Sequence, residues 1–186
     1  NQAFREAHPG AILLHQGETY VVTGFDLDNH SITVRPDETD CHTRAHLSVD
    51  MSVIRTRASR TGEGGTLCFG DVRIIEQYRQ YQLRRYDTVL ETHPLTLPPL
   101  VFTTRALWVT LPDTAVERLS DDGMDIAGGL HGAEHELIAM MPVRVLCDRR
   151  DVGGFSTPWH PDTAGATILI YDGYEGGIGL AEKAYS

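Results

Sequence analysis

Around Pro112 the spacing of apolar residues changes from every second position to every third or fourth, and that switch constrains the fold more than any single motif. Before it, short β-branched and apolar runs alternate with turn residues. Ala11–Leu14, Thr19–Phe25 after Gln16-Gly17, and Ser31–Arg35 after Asp28-Asn29-His30 predict a β-meander. Met51–Arg57 and Leu67–Tyr78 continue the pattern, joined by a link that Gly62, Gly64 and Gly65 loosen. Pro94, Pro98 and Pro99 mark an extended connector, and Phe102–Leu111, which includes Trp108, reads as a central-type strand. After Pro112, Asp113 is the expected N-cap of a short helix ending near Asp121-Asp122-Gly123. Met124–Met141 predicts the strongest helix, with Ile126, Ala127, Leu130, Leu137, Ile138 and Met141 on one face and Pro142 closing it. Ala166–Tyr171 is a short buried-type strand, followed by the glycine turn Asp172–Gly179 and a helix at Leu180–Tyr185. The expected class is α+β: a β-rich half over residues 1–111, a meander or partly open barrel, packed on a mixed α/β half over 112–186.

With 186 residues, 41% of them hydrophobic, the chain is long enough to bury a sizeable core. Its apolar runs are too short to cross a bilayer and its start lacks the layout of a secretory signal, so no membrane partner and a cytoplasmic location are expected. Cys41, Cys68 and Cys147 are widely spaced and form no C-x-x-C pair, which points to reduced, mostly buried thiols. A start at Asn1 and a stop at Ser186, within a helical pattern, suggest a piece of a larger protein. Sixteen basic against twenty-six acidic residues give a net charge of −10, which opposes free-standing nucleic-acid binding. Charge is unevenly spread, however. Residues 111–186 carry five basic and thirteen acidic side chains, whereas Arg55–Arg85 carries seven arginines and three acids. A phosphate-facing surface is therefore expected to use Arg55, Arg57 and Arg60, with Arg149 and Arg150 as a second basic pair.

The sharpest local pattern is His131-Gly132-Ala133-Glu134-His135, because histidines four apart project from one side of a helix and can converge on a metal. It matches the H-x-x-E-H spelling of metalloproteases in which the glutamate is a general base. Helical geometry places Glu134 inside the apolar stripe between Leu130 and Ile138, so a structural polar network of His131, Glu134 and His135 is expected in place of a catalytic centre. Cys147-Asp148-Arg149-Arg150-Asp151 before Val152-Gly153-Gly154 reads either as a solvated turn or as a metal-ligating cysteine beside arginines. Thr157-Pro158-Trp159-His160-Pro161 reads as a loop in which Trp159 covers the core, with stacking on a base as the lesser alternative. Tyr171–Gly179 is a glycine-rich strand-to-helix turn, but no Lys-Ser/Thr pair follows it, and Asp172 and Glu175 would repel phosphate. A tight structural turn is expected, with Asp172 counted in the structural polar network beside His131, Glu134 and His135.

Taken in order, Gly129–His135, Leu146–Gly154, His160-Pro161-Asp162 and Ile170–Glu182 resemble the MrfA-like zinc-binding (MZB) domain of superfamily II DNA helicases. Phe4–Pro36, above all Leu14–Tyr20, is similar to the β-rich segment that precedes that domain. The resemblance implies an accessory C-terminal region of an ATP-dependent 3′-to-5′ helicase in genome maintenance and DNA repair, scaffolding or engaging single-stranded DNA. It also implies motor domains on the same polypeptide that bind ATP and Mg, and one zinc held by four cysteines. Cys147 matches the first of these, and the remaining cysteine cluster would lie beyond Ser186. The resemblance carries over no catalytic residue. Two other functions fit the residues: a metal-dependent hydrolase built on His131, Glu134 and His135, and a protein–protein interaction module of a multi-subunit defence system, which the acidic second half suits.

Overall fold

The fold is described from a computed structural model covering residues 2–186. The element order is α1 (Gln2–Glu6), β1 (Ile12–His15), β2 (Glu18–Asp26), β3 (Ser31–Pro36), β4 (His42–Gly62), β5 (Gly65–Arg85), β6 (Thr88–Pro94), β7 (Leu100–Thr110), α2 (Asp113–Asp121), α3 (Ile126–Arg144), β8 (Val152–His160), β9 (Gly165–Asp172) and α4 (Leu180–Tyr185). The class is α+β and rich in strand, as the sequence predicts. Two compact units share the chain: one holds residues up to Val49 together with Glu76–Leu100, the other Asp50–Ile75 and Val101–Ser186. The change of period near Pro112 falls inside the second unit, so the β-rich and mixed stretches that it divides along the chain are not the two groupings in space.

In the first unit β1, β2 and β3 form an antiparallel meander, with Leu14 opposite Thr19 and Val22 opposite Val34. Gln16 and Gly17 both take positive φ in the two-residue turn between β1 and β2, the geometry that matches the twist of adjoining strands. The end of β5 pairs with β6, from Gln80 opposite Pro94 to Arg85 opposite Thr88. Phe4, Tyr78 and Leu97 make the local core, and Phe4 meets the edge of Phe25 at 5.7 Å between ring centroids. One aromatic side chain thus ties α1 to this unit.

In the second unit the innermost element is β9, all eight residues of which are buried. It pairs antiparallel with β7, where Trp108 lies opposite Leu169, and with β8, where Phe155 lies opposite Leu169. The full strand order is β4-β5-β7-β9-β8, with β6 also on β5. Helix α3 buries Leu130, Glu134, Ile138 and Met141. Leu130 packs with Ala166 and Ile168, and Ile138 and Met141 pack with Val145, Val152 and Ile170.

Several local expectations change. β4 and β5 are each 21 residues long, well beyond Met51–Arg57 and Leu67–Tyr78, because polar residues continue the pairing past the apolar runs. β6 forms ahead of the proline connector, where no element is expected, and β8 occupies a stretch expected as turn and loop. The N-cap of α2 is Pro112, with Asp113 the first helical residue, where its charge still favours the positive end of the helix. Pro142 sits in the last turn of α3, which runs on to Arg144, and Ala127 and Leu137 are exposed.

The Gly153-Gly154 pair explains why β8 looked like a turn. A Cβ on Gly153 would stand 2.2 Å from the Tyr171 ring, and one on Gly154 would stand 2.6 Å from Glu134 Oε1 and 2.8 Å from Ile138 Cδ1. Successive residues of a strand face opposite sides, so the two glycines admit Tyr171 on one face and helix α3 on the other. Among the described residues, no helix is long and apolar enough to cross a membrane.

His8 is fully buried in the first unit, with Nδ1 3.0 Å from the Pro9 carbonyl oxygen and its ring centroid 4.6 Å from that of Tyr81. Burial pushes its pKa below the ordinary 6.5, and the Pro9 contact offsets this only in part. The unfolded chain then binds a proton more readily than the folded one, so stability is full above the ordinary value and falls as pH drops through it towards the lowered folded value. The thermal midpoint should fall between about pH 7 and pH 5, and His8→Gln should flatten that slope. An unchanged slope in His8→Gln would show that another group titrates.

Candidate functional site

Asp125 opens α3, its Oδ1 accepting from the Gly128 N–H at 3.1 Å. Two turns on, Glu134 points inward and is 7% exposed. Its Oε2 accepts from Ser156 Oγ of β8 at 2.6 Å and lies 3.3 Å from His131 Nδ1. His131 Nε2 in turn lies 3.1 Å from His135 Nε2, the rings meeting edge to face with centroids 4.5 Å apart. The structure therefore brings His131, Glu134 and His135 into one hydrogen-bonded line running from solvent to β8. Glu134 is 7% exposed and its Oε2 is engaged by a hydroxyl and an imidazole, which is poor geometry for a general base. Ser156 had no recognisable signal in the sequence because its role depends on the strand that the two glycines disguised.

Asp172 stands apart from that line, fully buried at the end of β9. Its Oδ2 accepts from the N–H groups of Ile178, Gly179 and Leu180 at 2.7, 2.8 and 3.2 Å, and its Oδ1 accepts from Ala181 N–H at 2.8 Å. Thr104 Oγ1 is 2.8 Å from both the Asp172 and Tyr174 carbonyl oxygens, which it can serve as a shared donor. Gly176, Gly177 and Gly179 take positive φ, and Gly177 packs against the Arg105 stem. The anion at the start of α4 is thus the chain's own carboxylate, and the glycine turn leaves these amides nothing to offer a phosphate.

Cys147 is partly buried beside Ile138, Met141, Val145, Val152 and Ile170. Burial pushes its thiol pKa up, and Asp151, Asp148 and Asp172 add to the rise. After it, Arg149–Asp151 form one 3-10 turn closed by a capping box: Asp148 accepts from Arg150 N–H at 2.9 Å, and Asp151 accepts from Asp148 N–H at 2.8 Å. The side chains of Arg149 and Arg150 lie on this exposed turn. All three cysteines are free, and among the described residues no three His, Cys, Asp or Glu side chains converge as a metal site. The residues present do not fit a closed four-ligand zinc centre.

The expected basic strip lies on β4. Arg55 is exposed, Arg57 Nε is 2.9 Å from Asp71 Oδ2, and Arg60 lies over the Tyr185 ring, 4.9 Å from its centroid. Arg105 Nε, which sequence reasoning missed, takes the other Asp71 oxygen at 3.0 Å. Two guanidinium groups thus share one carboxylate and leave net positive charge beside β4. Trp159 is 62% exposed, so it does not cover the core as expected; the Thr157 hydroxyl, which bonds the Trp159 carbonyl oxygen at 2.9 Å, holds its backbone.

Together these features define a β-rich α+β module whose second unit joins a histidine-bearing helix to an aspartate-capped glycine turn. Residues 133–186 match the family model of the MrfA Zn-binding domain (MZB), bearing out the resemblance seen in the sequence. The chain is 30% identical over 181 residues to the ATP-dependent helicase YprA of Bacillus subtilis, covering 96% of this chain and 24% of the relative. It is 26% identical over 191 residues to the ATP-dependent helicase HRQ1 of Saccharomyces cerevisiae, covering 96% of this chain and 18% of that protein. A crystal structure of the DUF1998 helicase MrfA bound to DNA is similar over 99% of this chain and 24% of its own, with 28% identity and a TM-score of 0.68. The chain therefore spans about a quarter or less of the length of the helicases it matches.

Asp172→Ala should destabilise the second unit by about 2–3 kcal/mol, because four N–H groups, that of Ala181 buried and the others part-buried, lose a charged acceptor, with Asp172→Asn intermediate. Thermal or denaturant unfolding measures the cost; an unchanged midpoint would show that the turn holds α4 without it.

Proposed function

We propose that this chain is the accessory C-terminal region of an ATP-dependent 3′-to-5′ DNA helicase, where it scaffolds or engages single-stranded DNA during genome maintenance and repair. The observation that carries this reading is the similarity, over nearly the whole chain, to a helicase crystallised on DNA. In the proposal, residues 1–111 and 112–186 are its β-rich and MZB-like modules. ATP and Mg act in motor domains of the same cytoplasmic polypeptide, and this region has no ATPase activity by itself. Arg55, Arg57 and Arg60 face phosphate, with Arg149 and Arg150 as a second contact. Their side chains lie on exposed strand and turn, which suits backbone contacts that read no sequence.

The 186-residue chain should bind single-stranded DNA weakly, since its net charge of −10 opposes phosphate approach. The logarithm of the affinity should fall linearly with the logarithm of salt concentration, and Arg55→Ala should lower affinity evenly across sequences and reduce that slope by about one. Fluorescence anisotropy over a salt series tests this. Tight binding that ignores salt would refute the electrostatic contact.

Cys147 is proposed as one of four zinc ligands once the parent polypeptide supplies the others. Its partly buried, acid-flanked setting holds the thiol protonated when alone, so ligation must displace that proton. The longer polypeptide should carry one zinc, and Cys147→Ser should lower both its zinc content and its melting temperature. Undiminished zinc affinity in the variant would remove Cys147 from the site.

A further inference from the structure

We propose that His131 and His135 form a solvent-facing, two-imidazole site on α3 for a late first-row divalent metal ion such as Zn2+, Ni2+ or Cu2+, with Glu134 and Ser156 as positioning residues. This site is separate from the cysteine zinc centre implied for the parent protein, and it does not depend on the DNA-engaging role. The two Nε2 atoms lie 3.1 Å apart on successive turns of one helix. With metal–nitrogen bonds of about 2.05 Å, that separation subtends about 100° at a shared ion, between the octahedral and tetrahedral angles. A helix presenting histidines at i and i+4 holds both donors without ordering any loop.

The line behind the pair selects the tautomer that a metal needs. Ser156 Oγ donates to Glu134 Oε2 at 2.6 Å, leaving that carboxylate to accept the Nδ1–H of His131 at 3.3 Å. The Nε2 lone pair of His131 is then free 3.1 Å from His135 Nε2, to which the N–H falls in this tautomer. On binding, the metal replaces that shared hydrogen, and the proton on His135 transfers through solvent to its own Nδ1. No net proton is released when both rings are neutral. Glu134 is 7% exposed and acts through His131 without reaching the ion, the arrangement by which a carboxylate orients a metal-ligating imidazole. The His131 side chain is 64% exposed, so water fills the remaining coordination positions and the ion has an open path. Imidazole donors and open positions favour Ni2+, Cu2+ and Zn2+ over Mg2+ or Ca2+.

Calorimetric titration of the 186-residue chain with Ni2+ tests the site, with cobalt spectroscopy as the second readout. One equivalent should bind and raise the thermal midpoint. His131→Ala or His135→Ala should weaken it by at least about tenfold, and Ser156→Ala, which spares both ligands, by about tenfold through lost orientation. Ser156→Ala also keeps the test independent of Glu134 variants that fail to fold. Cys147→Ser should leave Ni2+ binding intact, and bound Co2+ should show no thiolate-to-metal charge-transfer band. Equal Ni2+ affinity in wild type, His131→Ala and His135→Ala would overturn the proposal, as would loss of binding in Cys147→Ser.

Discussion

The carboxylate of Asp172 is the point around which the C-terminal segment is built. β9 delivers it, fully buried, to the end of the most enclosed strand, and a buried carboxylate must be matched by donors. The glycine turn supplies them by bending the chain until four successive amides from Ile178 to Ala181 converge on the two oxygens. Placement of α4 follows, and with it the approach of Leu180 and Ala184 to the Ile138–Ile170 core and of Tyr185 to Phe69 and Arg60. An isolated six-residue helix would not persist in water, so α4 owes its existence to this cap and to packing.

The same logic explains which parts of the fold were legible in sequence. The meander, β7 and β9 carry strong periodicity and clear turn residues, and α3 is bracketed by Asp125 and Pro142; each appears within a few positions of its expected bounds. β8 was hidden because its glycines and proline carry loop signals, while its real constraint is lack of space: Tyr171 presses on Gly153, and Glu134 and Ile138 press on Gly154. The far ends of β4 and β5 were hidden for the opposite reason. They are polar and exposed, so cross-strand pairing extends them without an apolar pattern to announce it.

At the site, inward placement of Glu134 could be read from helical phase, whereas its partner could not. Ser156 lies 22 residues downstream on a strand whose sequence suggested none, and only the pairing of β8 with β9 carries it to α3. Arg105 and Asp71 were likewise invisible, being joined through neighbouring strands over 34 residues of chain. Spacing reveals contacts within one helix; contacts between elements depend on register, which short motifs do not encode.

The long strands β4 and β5 have a further consequence for modularity. Residues 42–49 and 76–85 of these strands fall in the first unit and residues 50–62 and 65–75 in the second, so the polypeptide passes from the first unit to the second, back to the first, and again to the second. No single cut releases either unit intact. Recombination that exchanged one unit between related proteins would need three coordinated breakpoints, all of them inside strands, and selection would favour inheritance of the pair as one piece. A subdivision visible in space is therefore poorly available to evolution as a separable part.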